Sequence, residues 1–305
     1  MRATFVKTLE KLADKNKDIF LLTADLGKFF NDFKERYPDR FINVGVAEEN
    51  MIGIATGLAL FGKNVYCYSI TPFLLLRPLE HIRVNICFEN LNVKFLGAGG
   101  GLVYAKEGFT HQAIEDIAVM RALPNMTVVC PADLLEAEAL AKESVNYKGP
   151  LYIRFGKDNS PPIHQTIPKI EIGKGIVLNR GKDIAIIATG SMVYNAKLVT
   201  GELIKHGIRP TLIDMHTIKP LDKDLIGKCA RSNKLIFTIE EHSEINGLGT
   251  AVAEVLLKSG YRGLFEKIAL PDKYISDVGS WEYLLKKYKL DAKGILNHIL
   301  NKVEK

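Results

Sequence analysis

The chain has 305 residues, enough for about two domains that each bury an ordinary core. Its 41 lysines and arginines are mixed with 35 acidic residues, and no block of like charge resembles a nucleic-acid-binding arm. The net charge of +6 suits an anionic small-molecule substrate and an ordinary solvated surface equally well. The longest apolar runs fall far short of the roughly 20 residues that cross a bilayer. We therefore expect a soluble protein that binds neither nucleic acid nor membranes.

Four cysteines are scattered through the chain without a Cys-x-x-Cys pair or a spacing to histidine that is typical of zinc sites. We interpret them as reduced core thiols of a cytosolic protein and expect no metal ligands from this chain. Residues 1–18 mix charged and apolar residues at helical spacing, unlike the uninterrupted apolar stretch of a signal peptide. A cytoplasmic location is therefore expected. The cysteines are Cys67, Cys87, Cys130 and Cys229.

Strand-like apolar runs alternate with longer segments of helical periodicity up to about residue 156. Such alternation favours a mostly parallel sheet that is covered by helices on both faces. Ligands of open parallel sheets usually bind at the carboxyl ends of the strands, so we expect the site in the loops after LLTA, INVGVA and FLGA. The predicted strands are IFLLTA, FINVGVA, NVYCYS, NVKFLGA, MTVVCP and PLYIRF.

A proline-rich stretch, GKDNSPPIHQTIPK, then interrupts the pattern, and residues 157–169 are interpreted as a linker. A second α/β series follows it, with DIAIIATG, a helix from about Val193 to His206, RPTLIDMHTI, and KLIFTIEE after another helix. We therefore predict an α/β protein of two doubly wound domains with mostly parallel sheets, formed by residues 1–156 and residues 170–305.

Two adjacent carboxylates, Glu48 and Glu49, lie between the predicted buried strand FINVGVA and a helix rich in small residues. Gly53 and Gly57 on that helix would let another backbone or a flat ligand come very close. A carboxyl held there loses water, which favours its protonated form and suits a proton donor. The alternative is a solvated first-turn acid that offsets the helix macrodipole. Local sequence leaves both interpretations open.

The glycine-rich run GAGGG, residues 97–101, follows a predicted strand and superficially resembles a dinucleotide-binding loop. Leu102 takes the place of the third glycine of G-x-G-x-x-G, and no acidic residue follows a second strand at the required distance. We therefore do not expect NAD binding. We interpret the run as a tight loop whose backbone lies close to a neighbouring group.

Two polar residues follow later strands of the predicted first sheet. His111 and Gln112 are predicted to open a helix, where the positive helix end would keep the imidazole neutral and able to hydrogen-bond a ligand. A surface histidine is the alternative. Arg154 lies at the end of the apolar run LYIRFG, where a lone cation needs a partner. A substrate oxyanion and a structural ion pair would each supply that partner.

Several motifs together resemble, in order and spacing, the pyrimidine-binding domain of transketolases. They are VGVAEENMIGIATGLALFG, TADLG at residues 23–27, EGFTHQAIEDIAVMRALPNMTVVCPAD and PLYIRFG. The segment DIAIIATGSMVYNAKLVTGELIKHGIRPTLIDMHTIKPLD is similar to the transketolase C-terminal domain. The resemblance covers nearly the whole chain, and several motifs in one order are far more specific than any single match.

The resemblance also implies a partner. In this family a further N-terminal domain binds the diphosphate of thiamine diphosphate through magnesium, using Gly-Asp-Gly and a downstream asparagine, and this sequence contains no Gly-Asp-Gly. The chain therefore resembles the C-terminal subunit of a split transketolase. An N-terminal subunit would hold the Mg²⁺, and a homodimer or an α2β2 heterotetramer is expected.

Residue roles follow from the same resemblance. Glu48 falls on the glutamate that protonates the aminopyrimidine ring of thiamine diphosphate, and Glu49 remains a first-turn acid. His111 falls on a histidine that contacts the substrate near the reacting carbons. Arg154 and Arg2 match arginines that bind a substrate phosphate. The remaining match is Asp25, which corresponds to an aspartate close to the coenzyme and the subunit interface.

Some positions depart from the family pattern. Phe29 lies where sugar-phosphate transketolases have a phosphate-binding serine, and Gly99 lies where they often have a histidine. Glu107 replaces an aspartate that reads a substrate hydroxyl. Phe73 is the expected residue that stacks on the pyrimidine, with Leu74 as the competing position. These departures predict an unusual ketose or a related acyl donor as the substrate.

Two rival functions stay open at this point. The chain could be the β subunit of an enzyme that decarboxylates 2-oxo acids, or belong to a synthase resembling deoxyxylulose-phosphate synthase, although THQ, AIED and IKPLD favour the transketolase branch. It could also be a non-catalytic partner that only completes an assembly. The simultaneous presence of Glu48, His111 and Arg154 favours an enzyme.

Overall fold

The computed structural model describes residues 1–26, 30–158 and 161–303. Within these residues the chain forms a seven-stranded sheet and a five-stranded sheet, each packed against helices. All neighbouring strands are parallel except one strand of each sheet. The predicted α/β class with mostly parallel sheets is thereby confirmed.

The first half of the chain supplies most of the larger sheet. Its strands lie in the order β10-β5-β6-β4-β3-β1-β2. β1 therefore lies between β3 and β2. The elements are α1 (Arg2–Ala13), β1 (Ile19–Thr23), α2 (Asn31–Arg36), β2 (Phe41–Asn43), α3 (Glu48–Leu60), β3 (Asn64–Ile70), α4 (Thr71–Leu75), α5 (Leu79–His81), a π-helix (Ile82–Cys87), β4 (Val93–Ala98), α6 (Asp116–Ala122), β5 (Thr127–Val129), α7 (Leu134–Asn146) and β6 (Leu151–Phe155).

The second half builds the smaller sheet in the order β12-β11-β8-β9-β7. Its central strand β8 is buried along its whole length, as expected for a strand covered by helices on both faces. The elements are β7 (Ile176–Asn179), β8 (Ile184–Ala188), α8 (Met192–Lys205), β9 (Pro210–Asp214), β10 (Thr217–Lys219), α9 (Lys223–Ser232), β11 (Leu235–Ser243), α10 (Leu248–Lys258), β12 (Leu264–Leu270), α11 (Trp281–Lys287) and α12 (Ala292–Val303).

One strand of the second half joins the sheet of the first. β10 pairs antiparallel with β5, with Thr217 opposite Val129. Ile218 between these ladder positions is 1% exposed and belongs to a core cluster that also contains Cys67 of β3 and Ile187 of β8. The two halves therefore share one hydrophobic core, which sequence periodicity did not predict. The division at residues 157–169 stays a prediction.

Every predicted strand of the first half is present, but FINVGVA differs from its prediction. The strand ends at Asn43, lies at the edge of the sheet and is only partly buried. Val44–Ala47 instead form the loop that leads into α3. This placement suits function because a loop at the carboxyl end of a strand can bind a ligand whereas a central strand cannot.

Two further findings concern the chain as a whole. No helix among the described residues combines the length and the apolar character that a membrane crossing requires. All four cysteines are free and buried, which confirms their interpretation as core thiols.

The shared core predicts that the two halves unfold together. We expect Ile218→Ala to lower the free energy of unfolding by about 2–5 kcal/mol, because it removes buried methyl groups from a core that both halves line. Urea unfolding followed by circular dichroism measures the change. The matched control is Ile204→Ala, since Ile204 is 50% exposed on α8 and its substitution should stay within about 0.5 kcal/mol of wild type. Two separate transitions, of which only one shifts, would contradict a shared core.

Candidate active site

The loops that follow four neighbouring strands meet at one edge of the large sheet. After β1 and β2, the Asn43 side-chain oxygen accepts hydrogen bonds from the backbone N–H of Asp25 at 3.1 Å and of Gly45 at 3.0 Å. Arg77, in the segment after β3, forms an ion pair with Glu48, which follows the loop after β2. The segments after β3 and β4 meet where the ring of Phe73 contacts that of His111. These loops include the three in which the sequence predicted the site.

Glu48 begins helix α3 and is buried, with only 5% of its side chain exposed. Its Oε2 accepts a hydrogen bond from Nη1 of Arg77 at 2.9 Å. Glu49, the next residue, is exposed in the first turn of the same helix. The two carboxylates therefore have different environments, and the first-turn interpretation suits Glu49 alone.

Arg77 links Glu48 to an aromatic ring. The centre of its guanidinium lies 4.3 Å from the centroid of Phe73, while Nη1 donates to Glu48. A flat group that donates a hydrogen bond thus lies over the Phe73 ring and binds Glu48 at the same time. Beside it lies a pocket of about 400 Å³ that is lined by Val46, Ala47, Glu48, Glu49, Asn50 and Arg77.

The neighbouring position Leu74 does not share this environment. Its side chain is fully buried in the core of the large sheet, whereas Phe73 is partly exposed. The Phe73 ring also packs edge-on against the imidazole of His111, with 5.1 Å between the ring centroids. Of the two candidates for a stacking residue, the geometry favours Phe73.

His111 does not open a helix as predicted. It lies in a series of turns, and α6 begins five residues later at Asp116, so the argument from a positive helix end does not apply to His111. Its Nδ1 lies 2.9 Å from Oγ1 of Thr110. The ring is partly exposed, as a residue that contacts a substrate requires, and Glu107 is exposed in the same turns.

The glycine run lets side chains lie against the backbone. A Cβ added at Gly99 would fall 2.1 Å from the Tyr104 ring, and one at Gly101 would fall 2.5 Å from Glu241. Both glycines have positive φ angles, of +80° and +71° respectively. The interpretation as a tight loop is confirmed, and Tyr104 occupies the space that a histidine at position 99 would need.

Arg2 is fixed at the start of α1 by a network of polar groups. Its guanidinium donates to Asp158, with Nε 2.7 Å from Oδ2, and Nη1 donates to the hydroxyls of Tyr68 at 3.4 Å and Tyr104 at 3.3 Å. Burial alone would raise the pKa of Asp158, but the hydrogen bond and charge of Arg2 lower it below its ordinary value. Tyr104 thereby connects Arg2 to the His111 turns, because the Tyr104 and His111 rings lie 6.1 Å apart.

Arg154 lies in an internal ion pair. The side chain is 5% exposed, and Nε donates to Oδ2 of Asp116 at 2.7 Å. Its Nη2 donates to the same carboxylate and to the carbonyl oxygens of Ala113 and Glu241, both at 3.0 Å. The geometry favours the structural ion pair over a phosphate contact for this residue.

Two groups of positions remain: those next to or outside the described residues, and those that were not among the predicted site residues. Asp25 is exposed and has a φ of +66°, which holds its backbone N–H toward Asn43. Phe29 and Gly27 lie outside the described residues. Sequence reasoning did not single out Arg77, since nothing local connects it to Glu48. It also gave no role to Gln112, which is 3% exposed and whose amide has no hydrogen-bond partner among the described residues.

Two family models match the chain. The transketolase pyrimidine-binding domain matches residues 1–162, and the transketolase C-terminal domain matches residues 173–295. The chain belongs to the transketolase family. Thiamine diphosphate is the coenzyme of this family. The part of the chain that matches the pyrimidine-binding domain contains all the loops described above.

Relatives of this transketolase chain include separate subunits. A putative transketolase C-terminal section from Methanocaldococcus jannaschii is 39% identical over 100% of this chain and 96% of its own. One of the subunits of an apulose-4-phosphate transketolase from Phocaeicola vulgatus is 36% identical over 100% of this chain and 97% of its own. A solved structure of a split gene transketolase, described as an inactive beta4 tetramer, is 37% identical with a TM-score of 0.90, covering 99% of this chain and 97% of that one.

The internal ion pair predicts a large effect on stability. We expect Asp116→Asn to lower the free energy of unfolding by about 3–5 kcal/mol, because it removes the charged carboxylate that is hydrogen-bonded to the buried Arg154 guanidinium. Urea unfolding at pH 7 measures the loss. The control is Asp14→Asn in the exposed pair with Arg36, where the cost should stay below about 1 kcal/mol.

The same pair also sets a pH dependence. Burial would raise the pKa of Asp116, but the charge and hydrogen bonds of Arg154 leave it below its ordinary value. Its stabilisation is therefore fully present above the pKa of the unfolded state and is lost as the pH falls through the folded value. An Asp116→Asn variant as stable as wild type would contradict the structural role of Arg154.

Proposed function

We propose that this chain is the C-terminal subunit of a split transketolase. With an N-terminal partner it transfers a two-carbon ketol unit from a ketose donor to an aldehyde acceptor. Its cofactors are thiamine diphosphate and Mg²⁺, and the partner holds the metal and the diphosphate. Relatives whose names describe them as transketolase subunits support this proposal, as does the structural neighbour of similar length.

The observation that carries the proposal is the contact of Arg77 with both Glu48 and Phe73. The guanidinium is flat and donates a hydrogen bond, and it both lies over an aromatic ring and binds a buried carboxylate. An aminopyrimidine ring offers the same two features, a flat face and a nitrogen that bonds to a carboxyl group. The residues present therefore fit the coenzyme's pyrimidine.

Each residue has a role in this arrangement. When bound, the coenzyme holds the two-carbon unit between donor and acceptor. Glu48 would hold the pyrimidine ring nitrogen and donate a proton to it, and its carboxyl is only 5% exposed to water. Phe73 orients the ring by stacking. His111, packed against Phe73, contacts the substrate next to the ring.

A partner subunit would complete this site. The exposed face around α3 contains apolar residues that an isolated chain leaves in water: Val46 is 71% exposed, Leu60 64% and Phe61 86%. A Cβ at Gly53 or Gly57 would have no neighbour within 4 Å, so this helix face is open for close packing. Apolar exposure beside a cofactor pocket favours a subunit interface, either in a homodimer or in an α2β2 assembly. With its reduced cysteines, the chain is proposed to act in the cytoplasm.

The substrate is proposed to be an unusual ketose or a related acyl donor. Arg154 is bound internally, and Arg2 is paired with Asp158, so neither guanidinium is free to act on its own. Tyr104 occupies the space beside Gly99 and presents its hydroxyl to Arg2. Relatives named for apulose 4-phosphate and for 6-deoxy-6-sulfo-D-fructose support a ketose outside the standard pentose phosphates. Turnover of xylulose 5-phosphate comparable to that of such donors would contradict the proposal.

The central test replaces Glu48. Glu48→Gln in the reconstituted complex should lower the turnover number about 10²–10⁴-fold, because the amide cannot act as the general acid for the pyrimidine nitrogen. Steady-state assays with thiamine diphosphate, Mg²⁺ and a panel of ketose donors measure the loss. The control is Glu80→Gln, which changes an exposed carboxylate outside the pocket and should leave turnover unchanged.

The outcomes separate the rival functions. Unaltered activity of Glu48→Gln in the complex would indicate a non-catalytic partner chain. Release of CO₂ from 2-oxo acids, without ketol transfer, would indicate the decarboxylating alternative. Curated 1-deoxy-D-xylulose-5-phosphate synthases are also similar, at 32% identity for the one from Natranaerobius thermophilus, but this chain covers only 48% of that enzyme.

A second test concerns Arg77. Because its ion pair with Glu48 must open when the pyrimidine binds, Arg77→Ala should lower the Kd for thiamine diphosphate in the complex. Arg77 is 48% exposed, and such a pair contributes at most about 1 kcal/mol, so the gain should not exceed about fivefold. Isothermal titration calorimetry measures the Kd.

The control for Arg77 is Arg83→Ala. Arg83 is 62% exposed and lies 3.9 Å from Glu80, outside the pocket, so its removal should leave the Kd unchanged. If Arg77→Ala instead raised the Kd tenfold, Arg77 would be a coenzyme ligand and not a group that the coenzyme displaces.

A further inference from the structure

A second cluster of polar side chains lies away from the pocket, where three segments of the chain meet. Glu136 comes from the first turn of α7, His164 from the irregular segment 161–169, and Asp214 from the end of β9. One ligand-type atom from each of the three lies within 4.8 Å of those of the other two. No residue of this cluster takes part in the proposed ketol transfer.

Backbone hydrogen bonds hold two of the three side chains in place. Asp133 caps α7 with Oδ1 and accepts from the N–H of Ile163 and of His164 with Oδ2, at 2.6 and 3.2 Å. Glu136 accepts from the N–H of Ala132 with Oε2 at 2.7 Å. Its Oε1 faces Nε2 of His164, also at 2.7 Å. The cluster is thus positioned before any ligand binds.

Asp214 is the unexplained member. Its side chain is 0% exposed, and neither carboxylate oxygen accepts a hydrogen bond from an N–H or O–H group of the residues that the structure describes. The Glu136 carboxyl is its close polar neighbour. Its Oδ2 lies 4.0 Å from Nε2 of His164, so the carboxylate is aimed into the cluster. A buried carboxylate without a partner costs several kcal/mol, which a bound cation or a bound proton would offset.

Nearby cations of the chain do not supply that partner. Lys197 donates instead to the carbonyl oxygen of Ile163 at 2.9 Å. His216 lies two residues beyond Asp214, but its Nδ1 lies 2.9 Å from Oγ1 of Thr217 and its Nε2 has no hydrogen-bond partner among the described residues. The buried carboxylates of Glu136 and Asp214 face the partly exposed imidazole of His164.

We propose that Glu136, His164 and Asp214 bind a divalent transition-metal cation of the zinc class. One imidazole nitrogen and two carboxylate oxygens are ligands that Zn²⁺ accepts, with water in a fourth position. Mg²⁺ and Ca²⁺ prefer oxygen ligands throughout and fit the imidazole poorly. The His164 side chain is 11% exposed, which gives an ion a route in from solvent.

Such an ion would join the two halves of the chain. Its ligands come from helix α7, from the predicted linker and from the second sheet, so binding stabilises their relative placement. This role is independent of thiamine diphosphate and of the Mg²⁺ proposed for the partner subunit. The competing arrangement is one proton held between Glu136 and Asp214, and the experiment separates the two.

The test measures zinc binding to the full chain. After removal of metals with a chelator, the chain is titrated with ZnCl₂ by calorimetry in the presence of excess Mg²⁺. Bound zinc is counted by mass spectrometry after gel filtration. We expect one zinc ion per chain, and at least tenfold weaker binding by His164→Gln and by Asp214→Asn. His298→Gln is the control, because His298 pairs with Glu266 away from the cluster, at 3.7 Å, and should keep full binding.

Each outcome decides the proposal. Absence of zinc from the well-folded wild type, or equal binding by all four chains, would overturn it and favour the shared proton. Circular dichroism checks that the variants fold, and Asp214→Asn is expected to remain folded without metal because it removes the unpartnered charge. If His164→Gln fails to fold, anomalous diffraction at the zinc edge locates the ion in wild type. A peak away from Asp214 would also overturn the proposal.

Discussion

The candidate site depends on a buried carboxylate placed beside an aromatic ring. Glu48 is held at the start of α3 by the short loop that follows the edge strand β2, and Phe73 is held by the helix that follows β3. Arg77 contacts both groups: its positive charge pairs with Glu48, and its guanidinium lies over the Phe73 ring. In the proposed function, Arg77 occupies the position that the coenzyme's pyrimidine would take.

The parallel sheet explains why distant residues meet there. Strands β4, β3, β1 and β2 are neighbours, so their following loops lie side by side although the residues span 25 to 111 in sequence. The glycine run after β4 allows Tyr104, Arg154 and Glu241 to pack against the backbone, which joins the pocket to the second half of the chain. Burial raises the pKa of Glu241 to about 7. Its carboxyl group accepts hydrogen bonds from the backbone N–H of Leu102 and from the indole N–H of Trp281. The second half thus supports the site without supplying its central groups.

Apolar periodicity predicted the α/β class and the strands well, because burial follows from local pattern. It left open which of Glu48 and Glu49 is buried, and the family resemblance was needed to assign them different expected roles. Prediction failed where tertiary contacts decide. Nothing local shows that Thr217–Lys219 joins the other sheet, or that Arg77 reaches Glu48. The helix after His111 began later than periodicity indicated, since the turns of residues 102–111 follow the glycine loop. The sequence also left open whether Arg154 binds a substrate anion or pairs with a carboxylate of the chain, because either partner would neutralise its charge.

The most direct measurement is the structure of the complex with the partner subunit, thiamine diphosphate and Mg²⁺. We predict that the aminopyrimidine ring lies on Phe73 with its ring nitrogen bonded to Glu48, and that Arg77 has moved away from both. The diphosphate and metal should contact the partner alone. A coenzyme bound entirely within the partner, with the Arg77 and Glu48 ion pair intact, would contradict the account.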